Sequence, residues 1–173
     1  KNGPDPDYSG AILKPNPKDA SPAPNNPIKS NNPNDALNWY QAYGIRNSFG
    51  LGVDQVKGTL WDTENGEKSH DEINIVRPGF NSGWKLTMGP ISDSGITQND
   101  LVTFPNAHYK DPVLSFADSF GITDIEFLNS DKLGTKYAKN AFIGDYGNGN
   151  LYRFQLNEQR TDFKLDNPGL EDH

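Results

Sequence analysis

The sequence predicts an all-β fold of short antiparallel strands, and three observations lead to this prediction. Seventeen glycines and 13 prolines accompany an aromatic content of 11% in a chain of 173 residues, which is typical of short strands joined by tight turns. From Trp39 onwards, apolar residues alternate or cluster in short runs bounded by Gly, Asn and Asp. A coarse repeat relates residues 49–76 to residues 121–156, because each stretch predicts three strands separated by turns. Such repetition suits the blades of a β-propeller, although a β-sandwich would also give evenly spaced strands.

The first 38 residues are predicted to form a Pro/Asn-rich extended segment. Eight of the 13 prolines lie in residues 1–36, and proline both breaks helices and removes a donor from strand ladders. The segment is either a disordered linker or one strand near residues 10–13 followed by a long loop. A single short helix is predicted near residues 35–40, with Asn34 as its N-cap.

Residues 39–173 are predicted to carry the strands of the repeat. Two turns, at residues 54–58 and 147–150, each place Gly where a tight hairpin needs a positive φ. Both turns therefore predict antiparallel hairpins. The predicted strands are residues 49–53, 59–63, 72–76, 113–116, 123–127, 141–145 and 151–156.

Charge and composition exclude several classes of function. The net charge of −7 and the isoelectric point near 4.8 argue against nucleic acid as a partner, because phosphate binding requires a surplus of Lys and Arg. No apolar run approaches the roughly 20 residues that a membrane-spanning helix needs. The sequence has no Cys, so it offers no disulfide and no thiolate metal site. No basic and then apolar leader opens the chain, so we expect that any secretion signal was removed or lies upstream.

Four neighbouring blocks resemble one known family. They are residues 43–51 (YGIRNSFGL), 60–66 (LWDTENG), 71–74 (DEIN) and 78–84 (PGFNSGW). Together they are similar to the signature stretch of the soluble, quinone-dependent glucose/sorbosone dehydrogenases, and weaker resemblance extends over nearly the whole chain.

The resemblance implies a fold and an activity. Members of that family are six-bladed β-propellers that bind pyrroloquinoline quinone (PQQ) and Ca²⁺ at one face and oxidise an aldose at its anomeric carbon. A complete domain would need roughly twice this length, at about 40 residues or more per blade. Residues 39–173 would supply about two antiparallel four-stranded blades, an incomplete propeller. Residues 1–38 would then be the end of a preceding blade and a long loop. Uncovered sheet faces and edges would favour association that completes the propeller.

Arg46 and Asn47 are the first candidate cofactor-binding residues. A planar guanidinium beside an amide can hold the carboxylate and carbonyl oxygens of an anionic quinone, and the resemblance implies that this pair contacts PQQ. The alternative is a purely local role, in which Arg46 ties down a loop carbonyl and Asn47 supplies turn geometry.

The second candidate group lies in the turn after the strand that carries Trp61. The resemblance implies that the carbonyl oxygens of Gly66 and Glu67 ligate the Ca²⁺ of the cofactor, since Ca²⁺ takes hard oxygen donors. It also implies that Asn65 and Asp71 lie near the quinone. Glu67 departs from the proline usual in the family, and an acidic, solvated turn is the alternative interpretation.

Other departures affect the predicted cofactor site. Where the family has a Lys that binds the carboxylates of PQQ, the sequence has Asp145 or a close neighbour, and Asp118 replaces a hydroxyl donor. Two acids at these places would repel a tricarboxylate cofactor by Coulomb interaction, and they could instead favour a cation. PQQ and Ca²⁺ are the cofactors that the resemblance implies. Whether this chain binds PQQ is left open by the two acids.

No catalytic residue is predicted in this chain. The family uses a His from an earlier blade as general base, and no counterpart of that motif occurs here. His70, His108 and His173 are predicted to be solvated loop residues. The following aromatic residues are predicted to be blade packing, with Trp84 also a possible sugar platform: Trp61, Trp84, Tyr137, Phe142, Tyr146 and Tyr152.

Two main functional hypotheses follow. The first is part of an extracellular or periplasmic oxidoreductase that oxidises an aldose with PQQ and calcium. The second is a non-catalytic, calcium-binding β-propeller that acts as a surface binding or scaffold module, which Asp118 and Asp145 would favour. A third, weaker hypothesis is that several such chains assemble into one closed ring.

Overall fold

The structure is a computed structural model that describes residues 7–165. These residues form eleven β-strands and three short 3-10 helices, with no α-helix among them. None of the helices in this part of the chain is long and apolar enough to cross a membrane. The strands are β1 Ala11–Leu13, β2 Tyr40–Tyr43, β3 Ser48–Asp54, β4 Thr59–Glu64, β5 Ser69–Ile75, β6 Phe80–Asn81, β7 His108–Tyr109, β8 Leu114–Asp118, β9 Ile122–Phe127, β10 Ala141–Asp145 and β11 Leu151–Phe154. The 3-10 helices are Ala36–Trp39, Ile91–Asp93 and Gln98–Asp100.

The chain divides into two compact units. The first unit comprises residues up to 47 together with residues 76–111, and it holds one sheet in the order β1-β2-β6-β7. β1 pairs antiparallel with β2, whereas β6 lies parallel to both β2 and β7. Its core contains Ile28, Ala36, Tyr40 and Tyr43. The Tyr43 hydroxyl donates to the carbonyl of Val102 at 2.8 Å, so the buried ring also holds a loop in place.

Buried amides fix the loop that follows β1. The Asn26 Nδ2 group donates to the carbonyls of Lys14 and Asn38 at 3.0 and 2.7 Å. The side chain of Asn38 in turn accepts from the Ser30 N–H and donates to the Asn32 carbonyl. The described part of the Pro/Asn-rich segment is thus a strand followed by a hydrogen-bonded loop, which corresponds to the second of the two alternatives. The predicted boundary at residue 38 stays a prediction, and residues 1–6 lie outside the described residues.

The second unit comprises residues 48–75 and the chain from residue 112 onwards. It holds an antiparallel four-stranded sheet, β3-β4-β5-β8, and an antiparallel three-stranded sheet, β9-β10-β11. β3 and β9 approach closely because β3 carries glycines: a Cβ on Gly52 would lie 2.4 Å from the Ile125 carbonyl oxygen. The core of this unit consists of Trp61, Ile73, Phe116, Ile122, Ile125, Phe127, Ala141, Ile143, Phe154, Leu156 and Phe163.

The structure confirms most of the predicted elements. The strand near residues 10–13 and all seven later strands are present, and the repeat corresponds to β3-β4-β5 and β9-β10-β11. Both predicted hairpins are antiparallel, with Gly58 at φ 68° and Gly149 at φ 70°. The prediction of Asn34 as a helix cap is wrong, because the Asp35 carboxylate accepts from the Leu37 N–H. Strands β2, β6 and β7 were not predicted.

A buried ion pair ties three segments of the second unit together. Arg160 Nε donates to Asp54 Oδ2 at 2.6 Å, and the two side chains are 8% and 0% exposed. Arg160 Nη1 also donates to the Lys139 carbonyl at 3.0 Å. The pair therefore connects the β3–β4 turn, the β9–β10 connection and the turn after β11.

Arg160→Met is expected to lower the free energy of unfolding by about 3–5 kcal/mol, because it leaves the Asp54 carboxylate buried without its cation. Urea unfolding measures the change. Arg153→Met is the matched control, since Arg153 is exposed on β11, and it should cost well under about 1 kcal/mol. Equal losses in the two variants would contradict a stabilising role for the buried pair.

Candidate functional site

The connection between β4 and β5 is a tight turn whose conformation requires glycine. Gly66 is buried, and a Cβ at this position would lie 1.8 Å from the carbonyl oxygen of Ser69. Glu67 and Lys68 follow it and are exposed. The turn therefore places two exposed residues directly after a buried glycine, at the end of the sheet where β4 finishes.

The Asp71 carboxylate holds this turn against a second loop. Asp71 is fully buried, and its Oδ1 accepts from the Gly66 N–H at 2.9 Å and the Ser119 hydroxyl at 2.6 Å. Its Oδ2 accepts from the backbone N–H groups of residues 120–122 at 2.7–3.2 Å. Five donors thus converge on one carboxylate. Among the predicted site residues, a hydrogen bond joins Gly66 to Asp71. Asn65 and Glu67 lie directly before and after Gly66 in the turn.

The prediction of His70 as a solvated loop residue is wrong. This residue lies in β5, is half-buried with φ 62°, and its Nδ1 is 3.2 Å from the Ser115 hydroxyl oxygen. His108 lies in β7, where burial first and then the charges of Arg77 and Lys110 lower its pKa. His173 lies outside the described residues.

One face of β4 and β5 carries buried polar residues that the sequence analysis missed. Asp62, Glu64, Glu72 and Asn74 are all at most 1% exposed, and Asn74 Nδ2 donates to Glu72 Oε2 at 3.1 Å. Burial raises the pKa of Asp62 to about 7, although a hydrogen bond from the Ser48 hydroxyl lowers it in part. The signal was a pair of polar residues two positions apart in each strand, Asp62 and Glu64 in β4 and Glu72 and Asn74 in β5. No cluster of three His, Cys, Asp or Glu side chains within residues 7–165 could enclose a metal ion.

In the first unit, Arg46 lies against Trp84. The Gly44 carbonyl accepts from the Trp84 N–H at 2.9 Å, and the Tyr43 carbonyl accepts from the Ser82 N–H at 3.0 Å. Because of these bonds, residues 43–44 and 82–84 lie side by side. The guanidinium carbon of Arg46 is 5.4 Å from the centre of the Trp84 ring. A cation over an indole face is attracted to it, so Trp84 holds Arg46 in position. Asn47 follows and is exposed.

Asp145 is directed into its own hairpin. Its carboxylate accepts from the Asn148 and Gly149 N–H groups and from the Tyr152 hydroxyl, the last at 2.8 Å. Burial alone would raise the pKa of Asp145, but these hydrogen bonds outweigh it and hold the pKa below its ordinary value. Asp118 is exposed at the end of β8, opposite Ser69 in the register.

The aromatic residues divide into two groups. Trp61 is fully buried against Phe127 and Phe163, and the Tyr152 ring contacts Phe116 and Phe120, as predicted for blade packing. The prediction of Tyr146 as blade packing is wrong, because its side chain is 89% exposed. Its exposure follows from its place, directly after β10 at the tip of the β10–β11 hairpin.

Asp71→Asn is expected to lower the free energy of unfolding by about 3 kcal/mol or more, because an amide N–H₂ would face N–H donors that then remain unsatisfied. Urea unfolding measures the loss, and hydrogen exchange at residues 120–122 should accelerate. Asp118→Asn, on the exposed end of β8, is the control and should leave both unchanged. Slow exchange at residues 120–122 in Asp71→Asn would show that the loop does not depend on this carboxylate.

Asp62 should make stability depend on pH. Its pKa near 7 in the folded chain lies above the ordinary value of 3.8, so the folded chain holds the extra proton between these values. Stability should therefore fall as pH rises from about 4 to about 7, by an amount on the order of 4 kcal/mol relative to Asp62→Asn. Urea unfolding of both proteins across pH 4–8 measures the difference, and parallel curves would contradict the shifted pKa.

Comparisons with known proteins agree with the sequence resemblance. The profile of the Glucose / Sorbosone dehydrogenase family matches residues 5–168. Aldose sugar dehydrogenase YliI of Escherichia coli is 35% identical over 103 residues, which are 60% of this chain and 28% of that protein. The solved PQQ-bound aldose sugar dehydrogenase of Streptomyces coelicolor matches with a TM-score of 0.63 and 26% identity, covering 89% of this chain and 36% of the other. The soluble aldose sugar dehydrogenase of Escherichia coli in its apo form matches with a TM-score of 0.58 and 26% identity, covering 79% and 40%.

The matches also settle the fold class. The strands of this chain correspond to those of sugar dehydrogenase propellers, so the predicted all-β fold with an incomplete set of blades is confirmed. The chain spans 28% of the length of its Escherichia coli relative. The profile match over residues 5–168, together with the four sequence blocks, establishes that this chain belongs to the Glucose / Sorbosone dehydrogenase family.

Proposed function

We propose that this chain is part of an oxidoreductase that oxidises an aldose sugar with PQQ and Ca²⁺. The observation that carries the proposal is the Gly66–Glu67 turn, which the Asp71 carboxylate fixes through five hydrogen bonds. The match to a PQQ-bound relative supports the choice of cofactor.

The turn has the properties of a calcium site built from main-chain oxygens. Ca²⁺ accepts backbone carbonyls as ligands and tolerates irregular geometry. Ser119 Oγ lies 3.1 Å from the Gly66 oxygen but only 2.6 Å from Asp71 Oδ1, so its single proton goes to the carboxylate. The Gly66 carbonyl thereby keeps its lone pairs, and the exposed Glu67 supplies a second carbonyl. The substitution of Glu for the usual proline leaves a carbonyl at this position, while it restores a backbone N–H and frees φ.

Arg46 and Asn47 suit the carboxylates and carbonyls of PQQ. A guanidinium binds a carboxylate through two parallel hydrogen bonds, and its orientation decides whether both form. The Trp84 ring beneath Arg46 restricts that orientation. We propose that Arg46 and Asn47 contact PQQ, that Asn65 contributes its amide, and that Asp71 acts as a positioning residue through the turn.

PQQ, when bound, accepts two electrons from the anomeric carbon of the sugar, with Ca²⁺ acting as a Lewis acid on the quinone. The residues of this chain would bind and orient the two groups. The Asp145 carboxylate is engaged by donors of its own hairpin, which fixes its orientation but leaves its negative charge in place. We further propose an extracellular or periplasmic location and association that completes the propeller, for which light scattering of the natural protein is the test.

A non-catalytic calcium-binding propeller is the second candidate. The observation that favours it is the absence of a cation at Asp145 and its neighbours in the β10–β11 turn, where the family has a Lys. This candidate expects Ca²⁺ binding without PQQ binding. Asp145→Lys cannot decide between the two, because it would remove the acceptor that holds the hairpin.

Arg46→Gln is expected to weaken PQQ binding by about tenfold or more, since a charge-assisted hydrogen bond contributes roughly 1.5–3 kcal/mol. Calorimetry and absorbance with PQQ and Ca²⁺, on the natural full-length protein, measure the affinity. Arg77→Gln is the matched control, because Arg77 is an exposed arginine of the same unit.

Three outcomes are informative. A selective loss in Arg46→Gln supports the enzymatic proposal. Failure of the unaltered protein to bind PQQ at micromolar concentration with Ca²⁺ present would overturn it, and Ca²⁺ binding under those conditions would favour the second candidate.

A further inference from the structure

Tyr146 is a large aromatic side chain left in solvent at a fixed position. It is 89% exposed, and its ring has no aromatic neighbour among the residues that the structure describes. The hairpin beneath it is well fixed, because the Asp145 carboxylate accepts from two backbone N–H groups and the Tyr152 hydroxyl. Tyrosine is enriched at binding surfaces, because its ring is apolar and its hydroxyl group is polar.

Hydrogen bonds place Tyr146 at the same end of the second unit as the Gly66–Glu67 turn. The Tyr146 N–H donates to the Gly121 carbonyl at 2.9 Å. The Gly121 N–H donates to Asp71 Oδ2 at 2.7 Å, and Asp71 Oδ1 accepts from the Gly66 N–H. Two loops and one carboxylate therefore connect the tyrosine to the turn.

The packing below the loop keeps this arrangement rigid. The Phe120 ring lies 4.9 Å from Phe116 and 6.0 Å from Tyr152, between ring centres. The Phe120 carbonyl also accepts from the Gly147 N–H at 2.8 Å. Tyr146 thus combines a fixed main chain with a solvent-facing ring, whereas the rings of Phe120 and Tyr152 pack against other aromatic rings.

We propose that Tyr146 is a substrate-binding residue on which the apolar face of an aldose ring packs, beside the exposed Asn148 and Asn150 amides. A pyranose presents C–H groups on its faces and hydroxyls around its edge. An aromatic plane flanked by amides matches both parts, which is the composition expected of a small-ligand site. The inference rests on the proposed function, because it takes the sugar to bind at the end of the unit that carries the calcium turn.

Tyr146→Ala is expected to raise KM for D-glucose about 2- to 12-fold, because an aromatic contact contributes roughly 0.5–1.5 kcal/mol. kcat should change by less than about twofold, since the ring binds ground state and transition state alike. The measurement is dye reduction by the natural full-length protein loaded with PQQ and Ca²⁺. Tyr146→Phe should retain the original KM, because the ring face remains.

Leu133→Ala is the matched control. Leu133 is 67% exposed and lies in the β9–β10 connection, at the other end of the same sheet. The Leu133→Ala variant should therefore keep the original KM for D-glucose. An unchanged KM in Tyr146→Ala would overturn the inference while leaving the proposed function intact. An equal rise in Tyr146→Phe would also overturn it, because the hydroxyl and not the ring face would then be the contact.

A measurement without the cofactor separates this inference from the proposed function. D-Glucose can be titrated into the cofactor-free protein and followed by the NMR signals of the tyrosine rings. Weaker binding in Tyr146→Ala supports the inference even if PQQ does not bind, and equal binding overturns it. A change in light scattering with Tyr146→Ala, without any change in glucose binding, would assign the ring to a protein contact instead and overturn it too.

Discussion

The Asp71 carboxylate is the interaction on which the arrangement of the candidate site depends. It is fully buried, and five donors from two separate loops converge on its two oxygens. A buried anion with this many N–H and O–H partners is tolerated only because every partner is in place. The turn at Gly66 and the loop at residues 119–122 are therefore fixed together, and neither can move without leaving donors or the carboxylate unsatisfied.

This constraint explains how short turns can serve as binding elements. A main-chain carbonyl offers a ligand oxygen only if its peptide is held, and loops at the ends of sheets are otherwise the mobile parts of a fold. Here the side chain that holds the turn comes from the following strand, where the four-stranded sheet restrains it. The same carboxylate fixes Gly121, whose carbonyl accepts from the Tyr146 N–H. One buried side chain thus organises the main chain around an exposed aromatic ring.

The sequence predicts the antiparallel strands well, because alternation and glycine turns are local properties. It predicts β2, β6 and β7 poorly: β2 is buried at all four positions and the other two have two residues each, so no alternation marks them. The motif identifies Asp71 as a candidate site residue. It does not show what Asp71 does, since most of its hydrogen-bond donors lie about fifty positions away in the sequence. Trp61 and Tyr146 look alike as aromatic residues, and only the hairpin geometry separates a buried ring from an exposed one.

Two acids at this end of the unit, Asp145 and Asp118, stand in different surroundings. Asp145 and Asp118 are acids at places where the sequence resemblance implies hydrogen-bond donors, and both would be expected to repel an anionic ligand. The Asp145 carboxylate is directed at N–H groups of its own hairpin, whereas Asp118 is exposed at the end of β8. An exposed acid is screened by water and by dissolved salt. Neutral donors stabilise the Asp145 anion without removing its charge, so both acids still oppose a tricarboxylate ligand, and only the screening at Asp118 weakens this repulsion.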